Sequence, residues 1–112
     1  MTSNELFNLL KTEIHSILFL SGYEIIEEQY PPEFFGSRYI TFSNANSVIR
    51  LVWDGKESYF ILEEYIGFNE ILKINEWSDI ETMKYVKEEV DDKYIENFIN
   101  QFIASLLKST NN

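Results

Sequence analysis

Apolar residues recur at helical intervals at the start of the chain, where Leu6, Leu10, Ile14, Ile17 and Leu18 draw one stripe. Thr2 and Glu5 precede the stripe at capping-box spacing, at which each side chain reaches the other's backbone N–H. Gly22 is placed to end the element, because glycine enters the left-handed region without a Cβ penalty. The pattern predicts a helix over about residues 3–21.

The period then changes. Tyr23–Gln29 alternates imperfectly between Gly22 and Pro31-Pro32, and the two prolines mark a loop because neither can donate to a ladder. Gly36–Ser43 reads as a second strand, with Ile40 and Phe42 on one side and Tyr39 and Thr41 on the other. Asn44-Ala45-Asn46-Ser47 is a turn by composition. Val48–Trp53 and Ser58–Tyr65 flank Asp54-Gly55, a hairpin signal. A two-residue loop there places Trp53 opposite Lys56 and Ile49 opposite Phe60, so that Ile49, Leu51, Trp53, Phe60 and Leu62 share a face. A three-residue loop would pair Ile49 with Ile61 and change the parity, and the first register is preferred. Residues 66–77 fit either a fifth strand or a short helix. Ser78 and Glu81 repeat the capping-box spacing, which predicts a short helix from near Asp79 carrying Ile80, Met83 and Tyr85 or Val86.

The last segment has the broadest apolar face, formed by Ile95, Phe98, Ile99, Phe102, Ile103, Leu106 and Leu107. Asp91 or Asp92 can cap this helix, and Lys108 lies in its last turn, where the dipole favours a cation. If Asp91 is the cap, Val90 and Ile95 stand at the positions of a hydrophobic staple.

The order predicts a single α+β domain over residues 1–112: an N-terminal helix, a four- or five-stranded antiparallel β-meander and C-terminal helices packed on one sheet face. The outer face then carries Tyr39, Thr41, Val48, Arg50, Val52, Tyr59, Ile61, Glu63 and Tyr65. That set is too apolar for a solvated surface and too polar for a core. Such a face meets another protein or a second copy, so a homodimer through it is one expected use.

Composition narrows the chemistry. Apolar residues at 45% and aromatics at 16% are enough for a packed core. A net charge of −10 repels phosphates and argues against direct nucleic-acid binding. The absence of cysteine removes disulfides, thiolate metal sites and thiol nucleophiles. The one histidine, His15, is adjacent to Ser16 on the first helix, and adjacent helical residues do not face each other, so His15 reads as a rim residue. The acidic pairs Glu27-Glu28, Glu63-Glu64, Glu88-Glu89 and Asp91-Asp92 lack the spacing of a calcium loop. The glycines are too scattered for a phosphate loop. Arg38 and Arg50 would orient an anion in a small-molecule reading and make surface ion pairs in the simpler one. No basic segment and apolar run form a secretory signal, and the longest fully apolar stretch, Ile17–Leu20, is far too short to span a membrane. The expectation is a cytoplasmic, non-enzymatic protein without cofactor, metal or membrane contact. Abundant Ile, Asn, Lys, Tyr and Phe with scarce Ala, Arg and Pro suit an AT-rich bacterial or phage genome.

The negative charge gathers between Glu57 and Glu96. It serves either as a solvated surface that keeps an aromatic-rich chain soluble or as a docking surface for a basic partner. Trp77, Tyr65, Tyr59 and Tyr85 lie within or beside this stretch, and aromatic anchors ringed by acids suit protein recognition. The expected partner-binding residues are Glu63, Glu64, Tyr65, Trp77, Glu88, Glu89, Asp91 and Asp92.

In size, charge, missing cysteine, the Trp53-Asp54-Gly55-Lys56 hairpin and the acidic Ser78–Asp92 region, the chain resembles the small acidic immunity proteins of bacterial toxin systems. The resemblance implies a single cytosolic domain that blocks a basic toxin, such as a nuclease, by occluding its active site or substrate groove. The chain also looks like phage-encoded inhibitors that imitate DNA. It is similar in character to the acidic, often dimeric chaperones of bacterial secretion systems.

Overall fold

The computed structural model describes residues 1–30 and 36–110. The Pro31-Pro32 loop expected from the sequence lies outside the described residues. Helix α1 (Ser3–Phe19) is followed by strands β1 (Glu24–Gln29), β2 (Arg38–Ser43), β3 (Val48–Asp54), β4 (Tyr59–Asn69) and β5 (Ile74–Lys84). A single 3-10 turn (Lys87–Glu89) leads into helix α2 (Asp92–Thr110). The strands form one five-stranded antiparallel sheet in the order β1-β2-β3-β4-β5. The expected α+β meander is present, with one α-helix after the sheet where helices were expected.

Local chemistry sets the helix ends. Thr2 and Glu5 complete the capping box at 3.1 Å in both directions. Gly22 takes φ +80 just past the end of α1. At the second helix Asp91 is the cap, its Oδ1 accepting from the Tyr94 amide at 2.8 Å. Both helices run towards the end of the sheet that carries the β2–β3 turn. The Ser21 carbonyl accepts from Asn44 there at 3.1 Å, and Ser109 of α2 shares a groove with Asn44 and Ser47.

The helices cover one face. Leu6, Phe7, Leu10, Ile14 and Leu18 of α1 and Phe98, Phe102 and Leu106 of α2 are buried against Ile40, Phe42, Ile49, Leu51, Phe60 and Leu62 of the sheet. Each such side chain removed from water contributes about 1.5–3 kcal/mol. Trp53 and Phe60 lie directly opposite each other with ring centroids 4.6 Å apart, and Phe98 meets Phe60 edge-on at 5.4 Å. His15 is half-buried at the rim, stacked on Phe42.

Two expectations are corrected. The β3–β4 loop is not a two-residue turn. Trp53 pairs with Phe60 instead of Lys56, Ile49 pairs with Glu64, and Gly55–Ser58 form the loop. The aspartate accounts for the longer loop. Asp54 Oδ1 accepts from the amides of Lys56 and Glu57, both at 3.1 Å, and Ser58 takes the left-handed conformation at φ 62. The register differs from the expected one by an even step, so the core face keeps its members. The short helix expected from Asp79 is part of β5. Ile80 is the extra residue of a bulge between Leu62–Glu81 and Glu63–Asp79, which brings Ile80 and Met83 to the same core side. Strand alternation interrupted by a bulge thus produces the three-residue spacing of an amphipathic helix.

The β4–β5 loop repeats the design of the first. Asn69 Oδ1 accepts from the amides of Ile71 and Leu72, Lys73 donates to the Asn69 carbonyl at 2.8 Å, and Lys73 has φ 58.

Candidate functional site

The face of the sheet away from the helices is the candidate site. Alternation along β2, β3 and β4 brings Tyr39, Thr41, Arg50, Val52, Ile61, Glu63 and Tyr65 to it. Two bulges add residues that alternation alone would not predict. The irregularity between Ile25 and Glu27 sets Glu27 opposite Thr41, and the one at Ile80 sets Asp79 opposite Glu63.

Arg50 lies at the centre. Its Nε donates to Glu63 Oε1 at 2.6 Å, and its guanidinium carbon stands 3.8 Å from the Trp77 ring centroid and 5.0 Å from that of Tyr39. Tyr65 meets Trp77 edge-on at 5.4 Å, and the two residues face each other across the β4–β5 ladder. The Tyr39 hydroxyl donates to Glu27 at 2.8 Å. A groove of about 420 Å³ runs between Ile26 and Glu27 on one side and Tyr65, Asn75 and Trp77 on the other, floored by Thr41, Val48 and Arg50.

Burial pushes the Glu63 carboxyl above its ordinary range, and Asp79 adds to the effect, while the hydrogen bond and charge of Arg50 pull it down. Glu63 is therefore a buried member of the face, its side chain 11% exposed beside an Arg50 that is 24% exposed. The hydrogen bond to Glu27, with burial, raises Tyr39.

The eight residues expected to bind a partner divide into three groups. Glu63, Tyr65 and Trp77 come together on the outer face. Glu64 points to the helix side, where it borders two grooves of about 430 and 340 Å³ near Ser109. Glu88, Glu89 and Asp92 are exposed around the start of α2, and Asp91 caps that helix. Acids at a helix N-terminus are favoured by its dipole, which gives this group a structural role. Sequence reasoning missed Glu27 and Asp79. Their adjacent acidic and apolar neighbours gave no sign of which residue a bulge would turn outward.

Among the described residues no group of three or more His, Cys, Asp or Glu is placed to hold a metal ion. Among the same residues no helix is long and apolar enough to cross a membrane. Arg38, the other arginine, is on the helix side, bonded to Glu28 at 3.0 Å and to Asn4, over the Phe7 ring. What the outer face offers chemically is flat aromatic area, a fixed guanidinium and carboxylates at its margin. Compared with protein-family models, with curated proteins and with solved structures, the chain matches none.

Proposed function

We propose that this chain is a non-enzymatic, cytoplasmic binding protein that neutralises a basic protein by laying its bare sheet face over that protein's active site or substrate groove. In the immunity-protein reading the partner is a bacterial toxin. The observation that supports it is the face that no helix covers, which holds half-buried Tyr39, Tyr65 and Trp77 beside Val52 and Ile61 where a solvated sheet face would be polar. Tyr, Trp and Arg supply much of the binding energy in protein interfaces. Here they are held rigid by cross-strand contacts, which lowers the entropy lost on binding. Asp79 and Glu27 at the margin would meet partner Lys or Arg side chains. The net charge of −10, including exposed Glu88, Glu89 and Asp92, would steer a basic partner inward.

The test is affinity capture from the native lysate with three baits: the natural chain, Tyr65→Ser with Trp77→Ser, and Glu88→Gln with Glu89→Gln. The reading expects a basic protein on the first bait, its loss from the second and its retention on the third. Capture that survives loss of both aromatics contradicts the reading.

A further inference from the structure

The sheet has two edges, and they differ. β1 is 6 residues long, with Glu27 accepting from Tyr39 and Glu28 holding Lys11 and Arg38. β5 runs for 11 residues, and among the described residues no strand lies beyond it. Side chains close the second half of this edge. Glu81 accepts from the Thr82 amide at 3.0 Å and from Ser105 of α2 at 2.7 Å, and the Tyr94 hydroxyl donates to the Lys84 carbonyl at 3.0 Å. Residues 74–79 have no such cover, since among the described residues no side chain bonds to their backbone. Every second residue of an edge strand turns its N–H and C=O away from the sheet, which leaves this stretch open to one more strand.

Both sides of the open stretch hold groups that an added strand's side chains would meet. On the outer face are Trp77 and Asp79, which stand opposite Tyr65 and Glu63 in the ladder. On the helix side a groove of about 430 Å³ lies between Ser78 and Ile80 of β5, Glu64 and Ile66 of β4, and Ser105 and Lys108 of α2. Ser78 is directly opposite Glu64, and its small side chain leaves that carboxylate within reach of the edge. Neither Glu64 nor Asp79 makes a hydrogen bond or an ion pair among the described residues.

We propose, on the reading that the partner is basic, that an extended basic segment of the partner protein adds to the sheet along residues 74–79 of β5. One Lys or Arg of that segment reaches over Ser78 to Glu64, and the basic residue beside it meets Asp79 on the outer face. Neighbouring residues of a strand point to opposite faces, so two consecutive basic residues serve both carboxylates. Charge selects this occupant. Glu64, Glu76 and Asp79 outweigh Lys108 along the stretch, and a second copy of the edge would bring its own Glu76 and Asp79 against them. In strand addition the main-chain bonds supply affinity, and the pockets for alternate side chains supply specificity.

The probe is a short synthetic peptide of Val and Thr with two adjacent lysines at its centre, titrated into the full isotope-labelled chain and followed by NMR. A Kd below about 1 mM is expected, with shifts at residues 74–79 and slowed exchange of every second amide there. N-methylation of the peptide's alternate amides should abolish binding for one of the two sets and spare it for the other, because only one set faces β5. Glu64→Gln with Asp79→Asn should raise the Kd at least ~fivefold, while Glu13→Gln with Glu96→Gln, which removes the same charge from exposed helix positions, leaves it within ~twofold. No binding, equal effects of the two methylated sets, or shifts centred on Tyr39 and Thr41 overturns the inference. Peptide addition at β5 together with capture that survives Tyr65→Ser and Trp77→Ser would leave the edge site standing and remove the outer-face reading.

Discussion

Arg50 on β3 and Glu63 on β4 stand directly opposite each other in the ladder, and their side chains meet at 2.6 Å on the face that no helix covers. The pair neutralises two charges that the sheet partly removes from water. Trp77 and Tyr39 flank the guanidinium, so side chains from four strands, β2 to β5, meet around Arg50.

The two halves of that pair are not equivalent. Glu63→Gln keeps an acceptor for Arg50 and should cost about 1 kcal/mol or less. Arg50→Met strands a carboxylate in a dry position and should cost about 2–4 kcal/mol at neutral pH. Glu63 already has a raised pKa in the fold, so protonation favours the folded state. Losing Arg50 raises it further, and the deficit of Arg50→Met should shrink as the pH falls from about 7 to about 5. Urea unfolding at the two pH values measures both effects.

The opposite sign holds on the helix side. Burial would raise Glu28, but hydrogen bonds and charge from Lys11 and Arg38 hold it below its ordinary value of 4.5. Its contribution to stability is therefore present above that value and disappears as the pH falls through the depressed folded pKa. Glu28→Gln should be less stable than the natural chain at neutral pH, and the two acid-unfolding curves should converge at low pH.

Both long hairpins place a non-glycine residue in the left-handed region, Ser58 at φ 62 and Lys73 at φ 58. Ser58→Gly and Lys73→Gly should each stabilise the fold by about 0.5–1 kcal/mol, the conformational relief less the entropy of a glycine. Asp54→Ala and Asn69→Ala remove the side chains that accept two loop amides and should each cost about 1 kcal/mol. Thermal unfolding of the four variants checks the paired expectation.

Exposed acids away from the face should act on the rate of encounter. Glu88→Gln with Glu89→Gln should slow association with a basic partner and flatten its salt dependence while leaving dissociation unchanged. Stopped-flow mixing at low and high salt separates the two rates.

Much of the fold was legible because its signals were local. The Thr2–Glu5 box, Gly22 and Asp91 mark helix ends through their own backbone contacts. The face shared by Ile49, Leu51, Trp53, Phe60 and Leu62 survived an error in register because strand alternation has a period of two. The first half of β5 stood as one of two alternatives for residues 66–77, but its second half was hidden because the bulge at Ile80 imitates helical spacing, and the available edge of β4 outweighs local propensity. The same bulges placed Glu27 and Asp79 on the candidate site. The acids that look contiguous between Glu57 and Glu96 are divided between both faces and both ends of the sheet, because neighbours such as Glu63 and Glu64 point in opposite directions.

Trp77 reports on the outer face by itself once Trp53 is removed, since Trp53 is buried among the helix-side core and Trp77 lies on the outer face. In a Trp53→Phe chain, Trp77 is the sole indole emitter. Adding the captured basic protein, used in a form without tryptophan, should shift its emission to the blue and protect it several-fold from acrylamide. Unchanged emission and quenching at saturating partner would place the binding surface elsewhere and contradict the account.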